Sequence, residues 1–172
     1  GKILLRYREG FDRIIQIIDS MKHAFPKKKN QPRRENISTV LQNAVSIVGN
    51  SAVSEVRFTN DIPPDLFYRC NASDVLTLVI NILANAVDAV KKSEGDKEIS
   101  VTARKQKTFL EIVIRDNGNG IEGKHISEIF EPFFSTKGGK DNIGIGLTLC
   151  KSIVNQYNGE ILIDSEPGKF TS

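Results

Sequence analysis

The stretch Asn81-Ile82-Leu83-Ala84-Asn85-Ala86-Val87-Asp88 sets polar side chains at i, i+4 and i+7 among apolar neighbours. On a helix those spacings bring Asn81, Asn85 and Asp88 to one face, while Leu76, Val79, Ile80, Leu83 and Val87 form a separate packing face. An isolated Asn is best explained by exposure to solvent. Here Ile82, Ala84, Ala86 and Ala89 leave little polar surface for a solvated face, so the polar groups are expected to line a site. An amide oxygen suits a hard cation such as Mg2+ without adding negative charge, which matters beside a polyphosphate.

Around this stretch the chain alternates helical and extended patterns. Asn71 can cap the helix, with Asp74 in the capping-box position, and the periodic run continues to about Lys92 before the turn Ser93-Glu94-Gly95-Asp96. Upstream, Thr39 to Val48 reads as a helix, Glu55 to Asn60 as a strand, and Phe67 to Cys70 as a short strand after Pro63-Pro64. Downstream, Ile99 to Lys105 and Thr108 to Asp116 alternate as two hairpin strands, Gly144 to Tyr157 reads as a helix, and Glu160 to Asp164 as extended. The fold class expected is α/β (α+β), a two-layer sandwich with helices on one face of a mixed, largely antiparallel sheet. An amphipathic N-terminal helix precedes it, with apolar residues from Ile3 to Phe25 spaced by three and four. Pro26, Lys27-Lys28-Lys29, Asn30 and Pro32 then break the pattern. The organisation expected is a helix in residues 1–25, a linker in 26–35 and one main domain in 36–172.

Composition excludes several classes. With 172 residues, 39% hydrophobic and 26% charged, the chain has the makeup of one ordinary globular domain with a short appended element. A net charge of +3 is too small to argue for nucleic acid, and the basic run with Arg33 and Arg34 reads as a solvated linker. The richest apolar run, Val75 to Val90, is interrupted by Asn81, Asn85 and Asp88, so no membrane span is expected. Gly1-Lys2 opens without a signal-peptide pattern and reads as the start of a piece of something longer. Cys70 and Cys150 are far apart and form no CxxC pair, which gives no support to a zinc site or disulfide framework and favours a reducing, cytoplasmic setting.

Three further stretches carry chemistry. Glu111-Ile112-Val113-Ile114-Arg115 delivers Asp116 to a strand end, followed by Asn117-Gly118-Asn119-Gly120-Ile121. Glycines let a flat ligand approach the backbone, and a buried carboxylate can accept a hydrogen bond from an exocyclic amine such as that of adenine. Taken alone, such a string is more often just a turn. Asn142-Ile143-Gly144-Ile145-Gly146-Leu147 precedes a helical pattern, which puts backbone N–H groups and a helix dipole where phosphate can sit. It has neither the GK[ST] of a Walker A loop nor a complete GxGxxG. Phe130-Glu131-Pro132-Phe133-Phe134 leads into Ser135-Thr136-Lys137-Gly138-Gly139-Lys140, the pattern of a mobile lid on an aromatic anchor.

In this order and spacing the four stretches resemble the ATP-binding domain of sensor histidine kinases, within the gyrase, chaperone and MutL ATPase superfamily. Asn81 to Ala86 is similar to the N box, Asp116 to Gly120 to the G1 box, Phe130 to Phe134 to the F box and Gly144 to Leu147 to the G2 box, over about residues 36–168. The resemblance implies that Asn85, helped by Asn81, coordinates the Mg2+ bridging the ATP phosphates, and that Asp116 binds the adenine amine. It implies that Gly118, Gly120 and Ile121 shape the adenine pocket, that Phe130 belongs to the lid base, and that Gly144, Ile145, Gly146, Leu147 and Thr148 lie near the phosphates. Ser135-Thr136-Lys137 resembles the nitrogen-regulation subgroup, where the Lys reaches the terminal phosphate; Asn81 and Lys137 are thus the catalytic candidates, with Thr136 beside the nucleotide. Two positions depart from the pattern: Asp88 stands where Lys or Arg is common, leaving the phosphate charge to Lys137 or Lys91, and Asn142 stands where a further Gly is common.

Arg13, Ile14, Ile17 and Phe25-Pro26 resemble the end of the second helix of a dimerisation and phosphoacceptor hairpin. Neither His23 nor His125 has the flanking residues of an H box, so the phosphoacceptor is expected outside this chain. The resemblance implies binding of Mg-ATP and donation of the γ-phosphoryl group to a histidine of a full-length, homodimeric, cytoplasmic or membrane-attached sensor, for relay to a response regulator receiver domain. A hydrolysing clamp of the same superfamily would normally carry Glu where Asn81 stands. A nucleotide-binding module without chemistry is the other alternative, and intact Asn85, Asp116 and Gly146 count against it.

Overall fold

The computed structural model describes residues 31–51, 55–136 and 143–172. The expected N-terminal helix with His23, the first part of the linker, and Lys137 to Asn142 of the lid lie outside the described residues. The elements are β1 (Arg33–Asn36), α1 (Ile37–Ser51), β2 (Val56–Asp61), β3 (Phe67–Cys70), α2 (Ala72–Lys91), β4 (Lys97–Lys105), β5 (Leu110–Asp116), a 3-10 turn (Gly123–His125), α3 (Gly146–Gln156), β6 (Ser165–Glu166) and β7 (Phe170–Thr171).

One sheet has the order β2-β4-β5-β7-β6. Its β2–β4 pair is parallel and the other pairs are antiparallel, so the sheet is mixed and mostly antiparallel as expected. The alternation of β4 explains its place: Ile99, Val101 and Ala103 are buried against the helices, while Ser100 and Thr102 face the other way. α2 supplies the facing stripe, Val75, Val79, Leu83, Ala86, Val87 and Val90, and α1 adds Ile37, Leu41 and Ala44. Truncating a fully buried member such as Leu83 or Ile99 to Ala is expected to cost about 2–5 kcal/mol. By length and composition α2 could cross a membrane, contrary to the interruption read from its polar residues, but its apolar stripe is spent on this core.

The boundaries differ from the sequence reading in four places. β1 pairs antiparallel with β3, from Arg33 opposite Cys70 to Asn36 opposite Phe67, so residues 33–35 of the expected linker belong to the domain. The Arg34 guanidinium lies 4.2 Å from the centre of the Phe67 ring while the residue stays exposed, as expected for a solvated arginine. α1 starts at Ile37, earlier than Thr39, because the Asn36 side chain accepts the Thr39 N–H at 3.2 Å and caps it. At α2, Asn71 occupies the N-cap position but its side chain makes no cap bond. Instead its main-chain N–H donates to the Tyr157 hydroxyl at 3.0 Å, and that hydroxyl donates to Asp74 Oδ2 at 2.6 Å, tying the start of α2 to the end of α3. Burial and the neighbouring Asp74 push the Tyr157 hydroxyl up to about 12, so it stays protonated and donating.

The fourth difference is at Glu160 to Asp164, which alternates in sequence but forms no strand. The hairpin strands are β6 and β7, turning at Pro167-Gly168 with Gly168 at φ +78. Only Asp164 joins them, exchanging backbone hydrogen bonds with Ser172 at 2.9 and 2.7 Å. Cys70 and Cys150 are buried free thiols, pushed by burial up to about 11 and about 12 and therefore poor nucleophiles.

Candidate functional site

Two walls pack against α2, one at Ala89 and the other at Asn81. The first forms where β5 ends. Asp116 is 6% exposed, and its Oδ1 accepts the Gly118 N–H at 2.9 Å. Burial raises the Asp116 pKa, while the Gly118 N–H and Arg115 pull it back. The loop then crosses α2 so closely that a Cβ at Gly118 would stand 2.6 Å from the carbonyl carbon of Ala89. Gly120 takes φ +65 and lies against the Glu166 carbonyl, an approach that a side chain would block. From the other side the β6–β7 hairpin holds the loop: Gly168 N–H donates to Asn119 O at 2.7 Å, and Ile121 N–H donates to Ser165 Oγ at 2.8 Å.

The second wall is the entry to α3. Asn81 Nδ2 donates to Thr77 O at 2.8 Å, which turns its Oδ1 outward from the helix. A Cβ on Gly146, the first residue of α3, would come within 2.9 Å of that Oδ1. An amide oxygen of α2 therefore lies beside a helix start that no side chain caps, where the first-turn N–H groups have no intrahelical acceptor. Asn85 and Asp88 follow along α2, both half-buried and both engaged in interactions. Lys91 is exposed at the end of the helix.

The F box seats this entry. Phe133 N–H donates to Gly144 O at 3.0 Å, and Gly144, at φ +70, packs against the Phe134 carbonyl, with Phe133 C 2.6 Å from where its Cβ would be. Thr148 Oγ1 donates to Phe130 O at 3.1 Å. Phe130 lies under Lys151, 5.5 Å from its ammonium, and the Phe134 ring is 5.4 Å from that of His125. Phe133 is different: it is 74% exposed at φ +67, so the aromatic anchor is made by Phe130 and Phe134 and not by all three rings. A separate depression of about 210 Å³, lined by Phe130, Lys151, Val154 and Ile161, shares Phe130 and Lys151 with the residues above.

The fold thus brings Asp116, Gly118, Gly120 and Ile121 into one wall, and Asn81 together with Gly144, Ile145, Gly146, Leu147 and Thr148 into the other. Thr136 is exposed at the edge of the described residues, and Lys137 lies outside them. At the first wall the sequence reading includes neither Thr171 nor Ser165, and it gives Asn117 no role beyond its place in the glycine string. Thr171 stands opposite Asp116 in the β5–β7 pair, Ser165 contacts the Thr171 hydroxyl at 3.0 Å, and the Asn117 side chain bonds the start of β4. The turn Pro167-Gly168 was the available signal for the hairpin that carries Ser165 and Thr171. Among the described residues no three His, Cys, Asp or Glu side chains form a metal cage. A neutral amide oxygen beside an uncapped helix start nonetheless fits Mg2+, which takes few protein donors and keeps waters and substrate oxygens as its remaining ligands.

Residues 70–172, which contain all four boxes, match the histidine kinase-, DNA gyrase B-, and HSP90-like ATPase family, and the chain belongs to that family. Among its relatives are the sensor histidine kinase ZraS of Escherichia coli K12, 30% identical over 138 residues, and the C4-dicarboxylate transport sensor protein DctB of Rhizobium meliloti, 36% identical over 112 residues. These alignments cover 78% and 64% of the chain but only 28% and 18% of the relatives' lengths. The fold is shared with Acinetobacter baumannii histidine kinase AdeS, at a TM-score of 0.74, 14% identity and coverage of 99% of this chain and 80% of that one. It is shared too with full-length ShkA in complex with AMPPNP, at a TM-score of 0.79 and 17% identity, covering 99% of this chain and 36% of that one.

Proposed function

We propose that this chain binds Mg-ATP and acts as the phosphoryl-donor portion of a sensor histidine kinase, passing the γ-phosphoryl group to a histidine of the full-length protein. The observation that carries the reading is the apposition of Asn81 Oδ1 and Gly146 at the start of α3, which joins a metal donor to a phosphate-binding helix end across 65 residues of sequence. Asn85 and Asn81 would hold the metal, which when bound would offset the phosphate charge. The N–H groups from Gly144 to Thr148 meet the phosphates, and Asp116 accepts from the adenine amine. Lys137, in a Ser-Thr-Lys segment of the nitrogen-regulation type, supplies the cation that Asp88 does not, with Lys91 on α2 as the alternative.

Phosphoryl transfer asks little covalent work of the donor site, so these residues act by positioning and charge neutralisation. With Asn81 in place of a Glu, water activation is poorly supplied, which supports transfer over hydrolysis. On this reading residues 1–25 end a dimerisation and phosphoacceptor hairpin, the parent is a homodimer working in the cytoplasm, and the phosphate passes on to a response regulator receiver domain. Calorimetric titration tests it: ATP affinity should rise with Mg2+ in the wild type and lose that dependence in Asn85→Ala, with Asn81→Ala milder. An equal Mg2+ effect in wild type and Asn85→Ala would remove the metal role. Incubated alone with γ-labelled ATP, the chain should take up no acid-labile, base-stable label, because it has no suitably flanked acceptor histidine.

A further inference from the structure

The adenine-side wall contains one residue whose bonds are out of proportion to its place on the surface. Asp116 is the last residue of β5 and pairs with Ile99, but β4 extends beyond that pair to Glu98 and Lys97. An ordinary strand would run on to complete the ladder. This chain must leave at once, since Gly118 already lies on α2. Asn117 resolves the conflict. Its main-chain N–H donates to Glu98 O at 3.2 Å, its Oδ1 accepts the Glu98 N–H at 2.8 Å, and its Nδ2 donates to Asp96 O at 2.8 Å. A carboxamide carries the donor and acceptor of a peptide unit, so the Asn117 side chain stands in for the next stretch of β5 while the backbone turns away.

We propose that Asn117 is the positioning residue for Asp116 and thereby sets the preference of the site for adenine over guanine; the proposal rests on the reading of Asp116 as the adenine contact. Asp116 is gripped from both sides, by the β4 ladder before it and by Asn117 after it, and Gly118 N–H fixes Oδ1, so Oδ2 is left to meet the base. Adenine presents an exocyclic amine there, whereas guanine presents a carbonyl oxygen that a carboxylate repels. Such discrimination requires the carboxylate to be held within a fraction of an ångström. Loosening the end of β5 should therefore damage the choice of base and spare the phosphate contacts, which belong to α3 and the F box.

The test titrates the full chain, in Mg2+, with ATP, GTP and inorganic triphosphate. Asn117→Ala should lose about tenfold in ATP affinity, as expected for one misplaced hydrogen bond to a charged group, with GTP and triphosphate changed by less than about twofold. Its melting temperature should stay close to wild type, because Asn117 and Asp96 are exposed and water can take over their bonds. Asn117→Asp keeps the acceptor for Glu98 N–H and should recover part of the loss; it also carries the test if the alanine variant does not fold. A wild-type ATP-to-GTP ratio in these variants, or a parallel loss of all three ligands together with melting temperature, overturns the proposal. Asp116→Ala separates the two levels: if that variant keeps the wild-type ratio, the adenine reading itself falls and this inference with it. If the ratio collapses in Asp116→Ala but not in the Asn117 variants, only the role of Asn117 is refuted.

Discussion

The two walls of the site are held together in different ways. Around Asp116 the loop is bonded from three directions, to β4 through Asn117, to its own carboxylate through Gly118, and to the β6–β7 hairpin through Asn119 and Ile121. Around Gly144, among the described residues, the seat includes a backbone bond from Phe133, a hydroxyl bond from Thr148, and the close packing of a positive-φ glycine against two carbonyl groups. The difference teaches that, among the described residues, the first wall is laced by hydrogen bonds from several elements, whereas the second is set by tight backbone packing at Gly144. Damage should accordingly be graded by ligand part: changes at the first wall should register in base choice, and changes at the second in every ligand that carries phosphates.

The largest effect is expected at the base end itself. If Asp116 accepts from the adenine amine as proposed, Asp116→Ala removes a charge-assisted contact and should weaken ATP binding by about tenfold to a hundredfold in calorimetric titration, with triphosphate almost unchanged. Next comes Gly144→Ala, whose Cβ would meet the backbone of Phe133 and Phe134 at a φ that L residues avoid. It should weaken ATP and triphosphate alike, by about tenfold, and lower stability by about 1–3 kcal/mol in denaturant unfolding. An Gly144→Ala variant that lost only base discrimination would break the division of labour between the walls. Thr148→Val removes a single hydroxyl bond to Phe130 and should cost about twofold to fivefold, equally for ATP and GTP.

The smallest effect sharpens the contrast through pH. Burial raises the folded-state pKa of Asp116 above its ordinary value of 3.8, so between that value and the raised one the folded chain holds more protons than the unfolded chain. Stability from this group is therefore greatest in acid and falls as pH rises through the window. Asp116→Asn should remove that dependence and melt at least as high as wild type at neutral pH while losing ATP affinity. If the variant instead melts lower at neutral pH and higher in acid relative to wild type, the carboxylate stabilises the fold and the burial argument is wrong.

How much of this was legible in the chain follows the range of the interactions. α2 and the β4–β5 hairpin are legible almost to the residue, because each is periodic over many residues. β1 is not, since Arg33-Arg34-Glu35-Asn36 has no alternation and becomes a strand only by pairing with β3. The cap of α2 was misjudged because Tyr157, far along the chain, supplies the hydroxyl that takes the Asn71 N–H. Asn117 was read as part of a turn, and its role depends on Asp96 and Glu98 reaching past the end of the neighbouring strand. Thr171 reaches Asp116 only through a hairpin two residues long on each side, too short to leave a period-two signature.

The single parallel pair in the sheet has a consequence for the order in which the molecule assembles. β4 and β5 are joined by a short turn and can zip from it directly, delivering Asp116 early. β2 must find β4 with β3 and the whole of α2 lying between them in the chain, and the entropy of closing so long a loop is lost before any ladder bond forms. β2 is also an edge strand of its sheet. It should therefore be a late arrival in refolding and an early departure in native-state amide exchange. While it is away, α1, whose Gly49 packs on Phe58 of β2, loses part of its cover, so a slow-refolding or crowded preparation is most exposed to aggregation at that helix.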